Sequence, residues 1–409
     1  MISQEPGNRP TAEEAYNCLI NIENNKFLNQ NTTDNDNGNN NDKDIYNSAN
    51  TNYSDISFNN DHNNKSNNKE KINIKKIETN NDENEKIYIK FSSYISVIRC
   101  LSEIEDLNYD LIKNKILENI KTEKILNNFI PYKFVNIISE KSIDEMIFNK
   151  NFDQFRNLLS LKSEGKINKE GETNPIIIFE EFISIFINEF KEKNIYWNNS
   201  IFDHLINPEN LSENVLSEIS GVIKYEFEKE YESPFVDIFY FISLELTRCS
   251  VCEKIPKHKI NIYFSISIES KEEESLINLI NKKLFPNIPY KFNQCSNCGF
   301  TTVKDKTSFY NSPLYLLIKF EKNSKIILDE EIDLSSFILT NIGPRKYNFF
   351  ALISEEILLG EKHYITTIKN NEKYKFYSDD IVEDCGDEAK TYGSPLIAIY
   401  KGQKSSIPS

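Results

Sequence analysis

The sequence lacks any apolar run as long as the roughly 18 residues with which a helix crosses a membrane. It also lacks an excess of positive charge, since 48 Lys and Arg stand against 63 Asp and Glu, giving a net charge of −15 and a pI near 5.0. Such an acidic chain repels nucleic acid and anionic membrane surfaces. We therefore predict no direct nucleic-acid partner and no membrane partner, and favour basic partners or basic faces of partners.

We also expect no secretory leader, because the first residues do not show the charged and then apolar pattern of a signal peptide. We therefore expect an intracellular location, in the cytoplasm or the nucleus. Cysteines stay reduced in those compartments, so the seven cysteines are not expected to form disulfides.

Three segments differ in composition along the 409 residues. Residues 1–28 form a short N-terminal segment with one helical candidate at 11–27. Residues 29–84 consist mainly of Asn, Asp, Lys and Ser, so they cannot bury enough apolar surface to offset chain entropy and are predicted to be disordered. Residues 85–403 have a globular composition. The 27 Phe and 21 Tyr of the chain are enough for a large aromatic core.

The apolar pattern predicts helices first and strands afterwards. One helical stripe consists of Tyr94, Val97, Ile98, Leu101 and Ile104. A second helix is predicted after Asn174-Pro175, and its stripe consists of Phe179, Phe182, Ile183, Phe186, Ile187 and Phe190. From about Ser243 the period changes to two, which predicts strands at 259–268, 315–320, 347–353, 363–368 and 396–400. The expected fold class is therefore α+β, with helices preceding an antiparallel sheet.

Two Cys-x-x-Cys pairs, Cys249/Cys252 and Cys295/Cys298, use four of the seven cysteines. Two thiolates three positions apart on a tight turn converge on one point and can bind one side of a tetrahedral Zn²⁺. Gly299 follows the second pair and suits such a turn. The other interpretations are two unrelated surface turns or two disulfides. Because four thiolates leave no coordination position open, we predict a structural zinc rather than a catalytic one.

Together with these pairs, an ordered set of motifs resembles the ubiquitin-specific proteases, a family of papain-like cysteine peptidases that remove ubiquitin. That family binds zinc on two Cys-x-x-Cys pairs in its fingers subdomain. After Cys298, five stretches are similar to family motifs and occur in the family's order: PLYLLIKF at 313–320, YNFFALI at 347–353, GEKHY at 360–364, YKFYSDDIV at 374–382 and LIAIY at 396–400. An unrelated zinc-ribbon protein is disfavoured, because these later motifs would then be a coincidence.

The resemblance implies a papain-like α+β fold with three parts. These are a helical thumb over 85–240, zinc-binding β fingers over 241–312 and an antiparallel β palm over 313–403. It also implies that the partner is ubiquitin or a ubiquitin-like protein, or a protein assembly. An acidic chain fits ubiquitin, whose recognised surface is basic around an apolar patch.

The catalytic residues of the family are only partly matched. His363 matches the catalytic histidine. The residue that orients it falls on Asp379 in one register and on Ser378 in the other. The family's nucleophilic cysteine begins its first helix, and this position falls on Ser92 or Ser93, depending on a one-residue gap. We assign Ser93 as the position of the lost cysteine.

A serine hydroxyl is a far weaker nucleophile than the thiolate that a papain-like site uses. The oxyanion asparagine of the family is also replaced, by Ile95 or Ser96. A second stretch, Asn17-Cys18-Leu-Ile-Asn21, looks like the family's cysteine box, although the polar residues after it interrupt the helix. We therefore predict a binding or scaffold module with weakened or lost deubiquitinase activity. The alternative is an active, divergent deubiquitinase whose nucleophile is Cys18 or a serine.

Overall fold

The computed structural model describes residues 82–403 except for short gaps at 121, 140–149, 170–172, 191–211, 232, 250, 256, 286–294, 296, 301–302, 323, 359, 372 and 379–380. The predicted helix at 11–27 and the Asn-rich segment as far as residue 81 lie outside this part. Within the described residues, no helix is both long and apolar enough to cross a membrane.

Helices dominate the first half of the described chain. They are α1 (Asp82–Ser102), α2 (Tyr109–Asn119), α3 (Glu123–Leu126), α4 (Ile130–Ser139), α5 (Lys150–Lys162), α6 (Pro175–Glu189), α7 (Glu213–Glu230) and α8 (Pro234–Phe239), and a later helix, α9 (Leu276–Leu284), lies among the strands. The start of α6 follows the prediction. The Asn174 side chain accepts a hydrogen bond from the Ile176 N–H, and Pro175 takes a first-turn position that needs no donor.

The helical core is aromatic, as the composition predicts. All five residues of the predicted α1 stripe are buried, and so are those of the α6 stripe apart from the half-buried Phe190. Phe134 of α4 packs on Phe182 of α6 with ring centroids 4.6 Å apart, and Phe186 packs on Phe235 of α8 at 4.5 Å. Ring pairs at such separations add to the free energy of burial.

Strands dominate the second half. They are β1 (Phe241–Cys249), β2 (Lys257–Tyr263), β3 (Ile266–Ile268), β4 (Glu274–Ser275), β5 (Val303–Phe309), β6 (Tyr315–Phe320), β7 (Ile326–Ile327), β8 (Glu331–Asp333), β9 (Lys346–Leu358), β10 (Glu361–Asn370), β11 (Lys373–Ser378), β12 (Ile381–Cys385) and β13 (Ser394–Gly402). The α+β class is confirmed, and the strands predicted at 315–320, 347–353, 363–368 and 396–400 lie in β6, β9, β10 and β13.

One strand prediction was wrong in extent. The alternating run at 259–268 is not one strand: β2 pairs with β1 in a three-stranded sheet, whereas β3 pairs with β6 in the large sheet. The period-two pattern continues through the break at Phe264-Ser265, because both halves present alternate residues to a core. Sequence alternation therefore marked the strands but not the change of sheet.

The large sheet has the order β12-β11-β10-β9-β13-β6-β3, with β8 paired to β9. Its neighbouring strands are antiparallel except for β3 and β6. Alternate residues of β6 separate the two faces: Tyr315 and Leu317 join the core of the thumb helices, whereas Leu316 and Ile318 join a second core with α9. Because both faces are covered, the sheet holds α1 and α6 in a fixed position above β10 and β13.

Candidate functional site

The four paired cysteines meet at one end of the three-stranded sheet, whose order is β2-β1-β5. Strand β1 ends at Cys249, and its antiparallel register with β5 places Cys249 opposite Val303. The second cysteine pair lies just before β5 in the chain. Pairing of β1 with β5 therefore brings together two motifs that are far apart in the sequence.

The sulfur positions fit a tetrahedral metal. Cys249 Sγ lies 3.6 Å from Cys298 Sγ, Cys252 Sγ lies 3.6 Å from Cys295 Sγ, and all four sulfurs lie within 4.8 Å of one another. Four sulfurs bound at about 2.3 Å around one Zn²⁺ would be about 3.8 Å apart. The four thiols could therefore hold one zinc ion after small adjustments.

The two cysteine turns share two backbone features in the part of the chain that the structure describes. The residue after each pair has a left-handed conformation, with φ of 57° at Glu253 and 74° at Gly299. In each turn this residue's N–H donates to the carbonyl of the first cysteine, at 3.0 Å in the Cys249 turn and 2.8 Å in the Cys295 turn. Two matched turns thus present their sulfurs to a common centre.

Backbone donors also favour the thiolate form that a metal binds. A hydrogen bond from the backbone of Lys254 lowers the pKa of Cys252 to about 6, from an ordinary value of 9.0. Backbone hydrogen bonds from Cys252 and Val251 lower the pKa of Cys249. In spite of a backbone hydrogen bond from Phe300, burial and hydrogen bonds with the other three thiols raise the pKa of Cys298 to about 12. Four thiols are the donor set of a closed zinc site, and a bound ion would hold them as thiolates.

The second candidate site lies where helix α1 meets strand β10. The Tyr364 N–H donates to Ser92 Oγ at 3.2 Å, and Ser96 Oγ donates to the Tyr364 carbonyl at 3.0 Å. Strand β10 pairs with β11 only from Thr366 onwards, so β11 does not pair with the backbone N–H and carbonyl of Tyr364. The two serines, one helical turn apart, form the hydrogen bonds of these two groups instead. The hydroxyl of Ser92 thus docks α1 on the strand that carries His363.

Neither of the two candidate serines, Ser92 and Ser93, begins a helix. Helix α1 starts at Asp82, so Ser92 and Ser93 lie about three turns into it. Both are buried, with 3% and 1% of their surface exposed. The Ser92 side chain accepts a hydrogen bond from the strand that carries the histidine. The assignment of Ser93 as the position of the lost cysteine stays a prediction.

His363 is fully buried at the start of β10, and its Nδ1 lies 2.8 Å from Glu356 Oε1 on β9. The strand register places these two residues directly opposite each other. Glu356 was missed at the level of sequence. Only residues 359–360 separate β9 from β10, and the glycine among them, Gly360, has a φ of 86°. This short connection with its glycine was the available signal for the register.

Two predicted site residues cannot be placed. Asp379 follows β11 in the sequence and Cys18 is near the N-terminus, and both are outside the described residues. Ser378, the alternative orienting residue, ends β11 and pairs with Ile381. The predicted roles of Asp379 and Cys18 therefore stay predictions.

Two further cysteines are described, and neither has the environment of a nucleophile. Cys100 is fully buried in the core of α1, and this burial raises its thiol pKa far above the ordinary value. Burial and the nearby Glu383 carboxylate also raise the pKa of Cys385. A reactive cysteine needs a lowered pKa and some exposure, so these two are structural.

An open cleft of about 370 Å³ lies between the start of α6 and the large sheet. Its lining includes three acids and three bases: Glu180, Glu321, Glu355, Lys319, Lys322 and Lys362. Glu180 of α6 forms an ion pair with Lys319 of β6, and Lys362 binds Glu355 at 2.8 Å. Glu355 and Lys362 are the chain neighbours of Glu356 and His363. Because side chains alternate along paired strands, the cleft residues lie on the opposite face of the sheet from the histidine pair.

A family model described as ubiquitin carboxyl-terminal hydrolase matches residues 16–400. A comparison with curated proteins found no match. Several solved structures are similar. A SAGA DUB module of Ubp8, Sgf11, Sus1 and Sgf73 bound to monoubiquitin matches with a TM-score of 0.55 and 11% identity, over 77% of this chain and 68% of that chain.

Two related structures match to the same extent. The module bound to ubiquitin aldehyde gives a TM-score of 0.55 and 12% identity, over 77% of this chain and 68% of that chain. A yeast SAGA DUB module with an Sgf73 mutant gives a TM-score of 0.54 and 13% identity, over 78% of this chain and 68% of that chain. At such low identities the likeness shows a shared fold, with its helical part, palm-like sheet and cysteine-bearing sheet.

Proposed function

The chain belongs to the ubiquitin carboxyl-terminal hydrolase family, and on this basis we propose that it binds ubiquitin or a ubiquitin-like protein with its hydrolytic activity weakened or lost. The binding site would be the cleft between α6 and the large sheet. The module would serve as a scaffold in an intracellular assembly, in the cytoplasm or the nucleus. Similar solved structures contain ubiquitin and several assembly partners, which supports this choice of ligand class.

The observation that carries the proposal is the placement of Ser92 and Ser93. A nucleophile at a helix start benefits from the free N–H groups of the first turn, whereas the N–H groups in the middle of a helix are bonded to carbonyls of the preceding turn. Both serines are buried inside α1, and the Ser92 hydroxyl is engaged by the Tyr364 backbone. Such a hydroxyl supports docking of α1 better than attack on a substrate.

A second candidate function is supported by a separate observation. The family match begins at residue 16, so it includes Cys18 as well as His363. In that case the chain is an active deubiquitinase that hydrolyses the isopeptide bond after the C-terminal glycine of ubiquitin. Cys18 would be the nucleophile, His363 the base and Asp379 the orienting residue, and Ser92 would only dock α1.

The cleft has equal numbers of acidic and basic residues, and the support for a basic ligand in both cases comes from its carboxylates. Glu180 of α6 and Glu355 of β9 are each paired with a lysine of the chain, and each can exchange that lysine for a lysine or arginine of the ligand. Such an exchange keeps each half-buried carboxylate paired, so the cost of removing it from water is offset. Binding should therefore weaken with increasing salt.

We expect the full chain to bind ubiquitin, and Glu180→Lys to weaken this binding by about tenfold or more, corresponding to at least about 1.4 kcal/mol. The reason is that the substitution places a positive charge where the basic ligand would lie. Isothermal titration calorimetry with ubiquitin measures the change. Glu272→Lys is the matched control, because Glu272 is exposed and outside the cleft lining.

Melting temperatures of both variants should be measured, since Glu180→Lys also removes the ion pair with Lys319. A folded Glu180→Lys chain that binds ubiquitin as well as the Glu272→Lys chain does would contradict the placement of the ligand in this cleft. Absence of ubiquitin binding by the unaltered chain would contradict the proposed ligand.

A further inference from the structure

We propose that Glu356 is the positioning residue of His363: its carboxylate fixes the Nδ1–H tautomer of the imidazole and leaves Nε2 as the basic nitrogen. The two residues are register partners on β9 and β10, and their side chains meet at 2.8 Å. This role rests on and deepens the proposed function, because His363 is the residue that matches the catalytic histidine of the family. It holds for the unliganded chain and does not require hydrolysis.

The burial of the pair gives the contact its strength. The His363 side chain is fully buried, and the Glu356 side chain is one-third exposed. A carboxylate accepts hydrogen bonds only, so the ring nitrogen that faces it must carry the proton. The tautomer of a histidine is set by such a bond. A carboxylate on Nδ1, with Nε2 turned to a reacting group, is also the arrangement of a Ser-His-Asp triad.

The strand geometry makes Glu356 a firm support. It lies in the middle of a continuous antiparallel register that runs from Glu361↔Leu358 to Ile368↔Ala351. Ser378, by contrast, is at the end of β11, beyond the last residue that β11 pairs with β10. A residue on a paired strand is held in place better than one at a strand end, so β9 is the better element from which to orient the ring.

Several elements carry polar or charged groups close to His363 in the chain or in the strand register. Its own strand carries Glu361 and Lys362, and β9 carries Glu355, which is bound to Lys362. Helix α1 contacts the backbone of the next residue, Tyr364, through the hydroxyls of Ser92 and Ser96. Asp379 and Asp380 follow β11 in the chain and are outside the described residues, so a substitution of one of them is needed as a control.

Histidine-selective ¹⁵N labelling of the full chain tests the proposal, because the sequence has only four histidines. The His363 signals are assigned by their loss in His363→Gln. In the unaltered chain, the nitrogen shifts should show an Nδ1–H tautomer in the neutral form. In Glu356→Gln, the titration midpoint of His363 should fall by about one to three pH units, since a negative charge next to the imidazolium is removed.

Asp379→Asn is the matched control, because it removes the carboxylate that the resemblance assigns to orienting the histidine and leaves Glu356 in place. Its effect on the His363 midpoint should be smaller than that of Glu356→Gln. An Nε2–H tautomer in the unaltered chain would overturn the proposal even if a variant failed to fold. An unchanged midpoint in Glu356→Gln, or a larger fall in Asp379→Asn, would overturn it too. Since no readout involves ubiquitin, failure of the proposed ligand would leave these results interpretable.

Discussion

Replacing Cys249 and Cys295 with Ser is expected to remove the metal from the protein and to loosen the three-stranded sheet. Together the two substitutions remove one thiolate from each of the two turns, so neither turn can still hold its side of a zinc ion. Binding of structural Zn²⁺ contributes about 10–16 kcal/mol in zinc-finger peptides, and this free energy is gained only when the site is folded. The unaltered protein should carry about one equivalent of zinc.

The loss should be local at first. The first cysteine turn follows β1 and the second precedes β5, so the metal site lies at one end of this strand pair. The large sheet is stabilised separately, by a hydrophobic core on each of its two faces. We expect faster amide hydrogen exchange in β1, β2 and β5 of the double variant, together with a lower melting temperature. Metal analysis, hydrogen exchange and thermal melting measure these effects.

Cys385→Ser is the matched control, because Cys385 is half-buried and outside the four-cysteine cluster. It should keep the full zinc content and nearly the same melting temperature. Freshly prepared, unoxidised protein without zinc would contradict the metal site, as would a double variant that retained its zinc.

The sequence predicted much of the fold because several local signals agree with the tertiary structure. The apolar stripes of α1 and α6 are buried in the structure, and the period-two runs became β6, β9, β10 and β13. The metal site could be predicted because each Cys-x-x-Cys spacing is typical of one tight turn. The pairing of β1 with β5 is then enough to bring the two turns together. Agreement between local pattern and global fold is what makes such predictions succeed.

The catalytic geometry was harder to predict because it depends on register and on where a helix starts. Alternation alone does not tell which residue of β9 lies opposite His363, so Glu356 was missed. The apolar stripe of α1 begins at Tyr94 but the helix begins at Asp82. Ser92 and Ser93 therefore lie inside the helix, although the resemblance assigns them to a helix start. A period-two pattern also does not show where one strand ends and the next joins another sheet, as happens between β2 and β3.

Hydrolysis of a fluorogenic amide at the ubiquitin C-terminus is expected to be very slow or absent in the unaltered chain, although ubiquitin is bound. The physical reason lies in the described candidates for the nucleophile. The Ser92 and Ser93 hydroxyls are buried within α1, and Cys100 is a fully buried thiol whose pKa is strongly raised. None of the three offers the exposed thiolate on which papain-like attack depends.

Four variants separate the possible outcomes: Cys18→Ala, Ser92→Ala, Ser93→Ala and His363→Ala. If the chain is a scaffold, all four should show the same background turnover as the unaltered protein. Ser92→Ala should also lower the melting temperature, since the N–H of Tyr364 would lose its buried acceptor, at a cost of about 1–3 kcal/mol. Cys18→Ala is then the internal control, expected to change neither turnover nor stability.

Robust turnover in the unaltered chain would contradict the scaffold proposal, and the pattern of loss would then identify the nucleophile. Loss in Cys18→Ala and His363→Ala, with Ser92→Ala and Ser93→Ala still active, would establish a cysteine peptidase whose nucleophile lies before the Asn-rich segment. Loss in one of the two serine variants would instead indicate a serine nucleophile on α1, with Nε2 of His363 as its base. That last result would require α1 to open, because both serines are almost completely buried in the structure.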